Sequence, residues 1–275
     1  MRWLLTVAIL CPEHDVLYIQ VPATGSSVVA QVLREELGGR QVPEQSIRRN
    51  GKLLVSGPHC TAPELIAHDV LSREDIDACL VIANVRNPFD RWTTYYQRRA
   101  GEEWIERSMG SLRRQLEKEV ETHGLSHQEY EQRRRAIDKR EQKQKRKGRL
   151  MRWVGFNTWM KYTLLRWRWT GARGSGPGLD EYAFPMLDGV DVAIRQERLN
   201  EGLNRVLEIA GVEMQAELPE NNTTRGKKPY MEYYTWTTRA LAEQMIAPQM
   251  ERFGYDFEGP ADDRSTIVLS EKLES

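Results

Sequence analysis

Twice along this chain an apolar run of strand length ends in a break and resumes as a helix. In the first, Val16, Leu17, Tyr18, Ile19 and Val21 form the run, and Pro22-Ala23-Thr24-Gly25 breaks it. Val28, Val29, Val32, Leu33 and Leu37 then recur at helical spacing until Gly38-Gly39. In the second, Cys79-Leu80-Val81-Ile82-Ala83-Asn84-Val85 reads as a strand buried on both faces, Asn87-Pro88 breaks it, and residues 89–99 resume as a helix. Two strand–turn–helix units with a polar connection predict an α/β domain with a parallel sheet. In such sheets the strand C-termini line the binding crevice.

The first turn has the make-up of an anion site. Small residues let backbone N–H groups converge, and the following helix adds the positive end of its dipole. No lysine stands in it. Lys+Arg 40 against Asp+Glu 40 gives no net charge, so any basic binding surface must be local. Cys11, Cys60 and Cys79 form no CxxC, which argues against a disulfide framework and a cysteine zinc site. His123 and His127 have ligand-like spacing, but Gly124 and Ser126 interrupt a helix between them, and no metal is expected. The first ten residues read as an edge strand or lead-in. No run reaches the length of a membrane span, and the expected location is the cytoplasm.

Between and beyond these units the readings are coarser. Residues 40–57 read as loop with a short strand at Leu53-Leu54-Val55, and a helix is expected from near Thr61, with Pro63 in its first turn. Ile105, Met109, Leu112, Leu116 and Val120 mark an amphipathic helix ended by Gly124, and Ser126 with Glu129 predicts a capping box for the next. Residues 133–149 (RRRAIDKREQKQKRKGR) read as a solvated, protruding helix, or more sharply as a contact for an anionic polymer or membrane surface. Residues 151–169 predict a helix returning to the core, in which Trp167-Arg168-Trp169 offers rings for stacking. A third strand at 190–194 precedes an amphipathic helix closed by Gly211, and Pro248 must kink or break a helix over 233–253.

Two segments together are specific. Tyr18-Ile19-Gln20-Val21-Pro22-Ala23-Thr24-Gly25-Ser26-Ser27 and Val85-Arg86-Asn87-Pro88-Phe89-Asp90-Arg91-Trp92-Thr93-Thr94-Tyr95-Tyr96 resemble the two nucleotide signatures of PAPS-dependent sulfotransferases, in the carbohydrate and bacterial branch. Pro58-His59-Cys60-Thr61-Ala62 is similar to that family's K-H-A-T-A turn. Residues 192–199 match its R-x-E-x-L region, and 222–234 with Phe253-Gly254-Tyr255 match its C-terminal part.

The resemblance implies a P-loop-like three-layer fold, with a central parallel sheet flanked by helices. It implies a single domain over 1–275, into which 101–148 is a charged helical insertion. It also implies PAPS as co-substrate, without metal, and a small-molecule or glycan acceptor; no nucleic acid is expected. Ala23, Thr24, Gly25, Ser26 and Ser27 would then meet the 5′-phosphosulfate, and Arg86 with Thr94 the 3′-phosphate, while Asp90 and Arg91 brace the turn. Arg225, Gly226 and Lys227 resemble the segment that closes over the nucleotide. His59 is the implied general base, with Glu64 as fallback. Ala23 stands where the family has a lysine. Lys52, Lys161, Lys227 or Lys228 would have to supply that charge, or the backbone would have to suffice; the alternative is a catalytically silent PAPS- or PAP-binding relative.

Overall fold

The computed structural model describes residues 8–44, 47–49, 52–55, 60–172, 183–219 and 228–273. Six strands form one sheet in the order β3-β1-β2-β6-β7-β8, comprising β1 (Ala8–Cys11), β2 (Val16–Ile19), β3 (Arg40–Val42), β6 (Leu80–Val85), β7 (Val192–Arg195) and β8 (Thr266–Val268). The centre is parallel: Ile19 faces Ala83 across β2 and β6, and Val85 faces Arg195 across β6 and β7. The outer pairs are antiparallel.

Alternation along the central strands decides the layers. Tyr18 and Ile82 point into a cluster with Val29, Leu33, Leu203 and Val206, so α1 (Ser26–Glu36) and α7 (Leu199–Ile209) cover that face. Leu17, Ile19, Val81 and Ala83 point the other way, against Leu65 of α2 (Ala62–Ala67) and Ile76 of α3 (Arg73–Ala78). A third cluster unites Phe89 and Trp92 of α4 (Pro88–Ala100) with Met160 of α6 (His127–Ala172) and Ile246 of α8 (Trp236–Phe253). Helices on both faces of a sheet with a parallel centre are the expected three layers.

Several local expectations hold. Thr61 and Glu64 form the capping box that starts α2, with Pro63 in its first turn. Ser126 and Glu129 exchange bonds at the start of α6, and left-handed Gly124 ends α5 (Glu102–His123). Phe156, Met160 and Leu164 return to the core, after a break at Gly155 (φ 77°, ψ 162°). Pro248 has its effect at Ile246, whose φ of −120° departs from the helix.

Others are corrected. The first described strand is interior, because Arg40–Val42, read as loop, pairs outside it and takes the edge. The short strand expected at 53–55 is present as part of Lys52–Val55 (β5), but Ile47–Arg49 (β4), read as loop, pairs with it in a separate two-stranded sheet. The short helix α3 is polar apart from Ile76, so periodicity alone does not mark it. The last helix begins at Trp236, not Tyr233.

One buried charge ties the C-terminal segment to the sheet. Arg195, at the end of β7, is fully buried. Its Nη1 donates to Asp262 Oδ1 (2.5 Å) and to the Arg264 carbonyl (2.9 Å). Its Nη2 donates to the carbonyls of Phe253 and Gly254, each at 3.2 Å. Arg195→Met leaves these carbonyls without donors in the interior, and is expected to cost about 3 kcal/mol or more in chemical denaturation. The hydrogen bonds from Arg264 and Arg195 hold the Asp262 carboxyl well below the usual carboxylate range. A depressed folded-state pKa stabilises above the unfolded value of about 3.9 and loses that contribution as pH falls through it. Asp262→Asn is therefore expected to flatten the acid limb of the melting temperature below about pH 4, and an unchanged limb would remove Asp262 from the account.

Candidate active site

The loop after β2 is shaped by a carbonyl left over from the sheet. Pairing between β2 and β6 runs only to Ile19 and Ala83, so the carbonyl of buried Val21 lies past the ladder and needs donors. Thr24 Oγ1 and Ser26 Oγ supply them, each at 2.8 Å. Both side chains are buried, and their hydroxyl protons point back into the loop. Ser27 is the exposed hydroxyl of the turn. Thr24 and Ser26 were expected to face an anion; their donors serve instead as internal ties.

Two residues adopt left-handed backbone in this turn. Ala23 has φ 65° and Gly25 has φ 77°. For a non-glycine residue such a conformation is held by its surroundings. Here Asn84 Nδ2 donates to the Thr24 carbonyl (3.1 Å), and Arg86 Nη1 donates to the Ala23 carbonyl (2.9 Å). Both donors come from the C-terminal end of β6, one strand over. Gly25 also has packing on its open side: a Cβ there would meet Leu199 Cδ2 at 3.0 Å.

The helix that follows is open at its N-terminus. No side chain caps α1, and its first turn holds no acidic residue. By contrast Thr61, Ser72 and Asn87 each cap their own helices, α2, α3 and α4. The Val28 N–H turns back to the Gly25 carbonyl (3.1 Å), so the donors that an external acceptor could meet are those of Ser26 and Ser27.

Arg86 is the cation nearest this loop that a hydrogen bond identifies. Its Nε and Nη2 also bind Asp90 Oδ2, at 3.0 and 2.5 Å. Of five guanidinium N–H bonds, these three are used and two remain unmatched among the described residues. Thr94, its expected companion, is buried, and its hydroxyl donates to the Asp90 carbonyl at 3.0 Å. Asp90 braces Arg86 as expected, and buried Arg91 donates from Nη2 to the Ala183 carbonyl (3.0 Å). The Asn87 N–H donates to Glu197 Oε1 (2.9 Å), and the Tyr255 hydroxyl to Glu197 Oε2 (2.8 Å). Burial, then the neighbouring Glu197 carboxylate, pushes the Tyr255 phenol far above its ordinary range and keeps it a donor.

One turn beyond Thr94 stands Arg98. Its guanidinium lies 4.5 Å from the centre of the Trp104 ring, and its Nε is buried without a hydrogen-bond partner. Among the described residues no carboxylate pairs with it. Burial and the Arg86 charge both push its pKa down. The neighbouring Gln97 donates to the Tyr233 hydroxyl (2.8 Å), which also accepts from the Lys228 N–H (3.3 Å). The chain after residues 221–227 thus enters the described structure beside this face of α4.

His59, Arg225, Gly226, Lys227 and the Lys52 side chain lie outside the described residues. Cys60 is buried in one apolar cluster with Ile19 and Val21, and burial pushes its thiol up to about 11. Glu64 accepts from the Thr61 N–H at 2.8 Å, so the fallback base serves as a helix cap. Lys161 donates to Thr237 (2.9 Å), and Lys228 lies 3.9 Å from Glu232. Among the described residues no cluster of His, Cys, Asp and Glu has the make-up of a metal site. A cavity of ≈ 1300 Å³ opens elsewhere, among Val81, Val190, Asp191, Arg252 and Lys272, at the opposite ends of β6 and β7 from Arg86 and Arg195. Its size does not make it the anion site, because the loop donors are not among its walls.

Asn84, Glu197 and Arg98 were missed as site residues. Asn84 carried a signal: it is the polar residue in an otherwise apolar strand. Glu197 lay in the matched R-x-E-x-L region without an assigned role.

The chain is thus an α/β protein with an open sheet, in which an uncapped helix at one strand end is crossed by a guanidinium from the next strand, a combination whose chemistry suits an anionic group. A model of the sulfotransferase family matches residues 7–257. The chain belongs to the sulfotransferase family. No curated protein and no solved structure matches it.

Gly25→Ala puts a Cβ on left-handed backbone and against Leu199. The expected cost is about 1–3 kcal/mol in thermal or denaturant unfolding. Ser27→Ala, at an exposed position, is expected to stay within about 0.5 kcal/mol; equal losses from the two would show that the loop is not held as described.

Proposed function

We propose that the chain transfers a sulfuryl group from PAPS to a hydroxyl or amine of a small metabolite or glycan. The observation that carries this reading is the pairing of an uncapped α1 N-terminus with Arg86, whose guanidinium binds the Ala23 carbonyl and keeps two N–H bonds to spare. Family membership supplies the reaction class.

In this reading the 5′-phosphosulfate rests on the backbone of 24–27 and the Ser27 hydroxyl, with Gly25 permitting close approach. The 3′-phosphate takes the Arg86 side of α4, where Arg98 adds a second cation that no carboxylate of the described residues neutralises. Thr94 contributes packing and position there. Arg225, Gly226 and Lys227 close the site from the loop that leads into Lys228. In the transfer step the acceptor oxygen forms a bond to sulfur while the bond from sulfur to the 5′-phosphate oxygen breaks. The electron pair stays on that oxygen, leaving PAP, and His59 takes the acceptor proton.

Ala23 favours a second reading, a PAP-binding relative without turnover. The position has no side-chain charge, and Lys161 and Lys228 are engaged elsewhere. Loss of a preorganised donor at developing charge costs on the order of 10²–10³ in rate. Arg86 can offset part of that loss from beneath the loop, since its charge is already bound to the Ala23 carbonyl.

Calorimetric titration with PAP and with AMP tests the binding part. PAP should bind, and Arg98→Gln should weaken PAP about tenfold or more while leaving AMP unchanged, because only PAP carries the 3′-phosphate. Absence of PAP binding would overturn both readings. For the chemistry, His59→Ala should lower PAPS turnover by about 10²–10⁴ without changing PAP affinity. PAP binding with no turnover on any acceptor, gained on Ala23→Lys, would establish the silent relative instead.

A further inference from the structure

The helical hairpin of α5 and α6 separates its charges by face. Asp138, Glu141, Lys145, Gly148 and Arg152 follow one another at steps of three and four, so they share one side of α6. That side meets α5 and the end of α4. Arg113 bonds Asp138 (2.7 Å), Lys145 bonds Glu106 (2.9 Å), and Arg152 bonds Glu102 (2.6 Å). A Cβ on Gly148 would lie 2.9 Å from the Arg99 carbonyl. The acidic residues of the basic stretch are therefore turned inward and neutralised.

What remains outside is basic beyond Glu131, which pairs with Arg134 at 3.7 Å and Arg135 at 3.9 Å; from 136 to 153 the sequence has no carboxylate besides Asp138 and Glu141. Arg135, Lys139, Lys143, Arg146, Leu150 and Trp153 also recur at steps of three and four, on the opposite side, and all six are exposed. The stripe runs from Arg135 to Trp153, 18 steps or about 27 Å of helix. Its last two members break the pattern of a solvated face: Leu150 is 58% and Trp153 is 83% exposed. After the break at Gly155, Tyr162 and Leu165 are also more than half exposed.

We propose that this outer face of α6 docks the protein on an anionic lipid bilayer. A row of four cations suits the negative surface potential of such a membrane. A large aromatic and a leucine at the end of that row suit the headgroup boundary, where Trp is favoured and Leu gains from burial. A nucleic acid or acidic polysaccharide would match the cations equally well but would give Leu150 nothing. Because the chain carries no net charge, its long-range field is weak, and attraction to a membrane must come from a local stripe of this kind. No described helix is long and apolar enough to cross a membrane, so the contact is peripheral.

Sedimentation of the full chain with vesicles tests it, using phosphatidylcholine alone or with about one-third phosphatidylglycerol. Binding is expected only to the anionic vesicles, falling at least tenfold as salt rises from about 0.05 to 0.5 M. The triple charge reversal Lys139→Glu, Lys143→Glu, Arg146→Glu should abolish it. Leu150→Ser with Trp153→Ser should weaken it about tenfold while leaving any oligonucleotide or heparin binding unchanged. All five residues are exposed, and circular dichroism would verify that each variant keeps its helix content. Three results would overturn the proposal: no partition to anionic vesicles, partition insensitive to the charge reversal, or polyanion binding with vesicle binding indifferent to Leu150 and Trp153.

Discussion

The bond from Arg86 Nη1 to the Ala23 carbonyl joins the two turns on which this protein is built. Each turn follows a parallel strand, and the strands are neighbours in register, but register alone does not fix the loops beyond their ends. Asn84 and Arg86 do so by reaching sideways from β6 to the carbonyls of Thr24 and Ala23. Those carbonyls point toward β6 because the backbone at Ala23 is left-handed. The strain of that conformation, the inward hydroxyls of Thr24 and Ser26 and the open N-terminus of α1 are consequences of a single loop path. Asp90 supports this path at one remove, by holding Arg86 through Nε and Nη2.

A second tier stabilises the first. Glu197 accepts from the Asn87 backbone and from Tyr255, and Arg195 collects carbonyls of the C-terminal segment. Buried charges of this kind contribute little net stability when paired and cost several kcal/mol when one partner is lost. Their value here is geometric. The turn after β6 and the 253–264 segment are both irregular, and neither has a ladder to place it. Anchoring both to the end of β7 sets where Arg86 begins, and through it the loop at Ala23.

The strand–turn–helix units were legible because burial on both faces leaves continuous apolar runs, and helix starts were legible near Thr61, where Pro63 suits a first turn, and at Ser126, whose glutamate stands at capping distance. The edge strand Arg40–Val42 was not: it is short and polar, and its pairing partner lies about 30 residues away. The two signatures were legible as the turns that the fold brings together at neighbouring strand ends. The working detail of the site was not, since the direction of the Thr24 and Ser26 hydroxyls depends on a carbonyl stranded past the ladder, and no local pattern records that. Arg98 was hidden for another reason. Its neighbours Arg99 and Gln97 give the helix end an ordinary solvated composition, and only the fold brings the Trp104 ring beneath it and Arg86 into its field.

The same principle, that a charge is defined by what neutralises it, distinguishes three groups of arginines here. Arg195 is satisfied within the interior and serves the fold. Arg113 and Arg152 are satisfied across the helical hairpin and serve its packing. Arg86 is satisfied in part, and Arg98 by no carboxylate of the described residues. Desolvating a guanidinium without an anion beside it is unfavourable, and placing a second one nearby adds repulsion. A bound oxyanion would relieve such a pair. An oxyanion bound there would gain from both cations at once, while the loop at Ala23, which has only backbone and one arginine, would gain less. In the proposed reading, that balance would hold the nucleotide chiefly at the α4 end and leave the group to be transferred at the more weakly charged end. On the same reading, alanine at position 23 would bear on the rate of transfer far more than on whether the nucleotide binds.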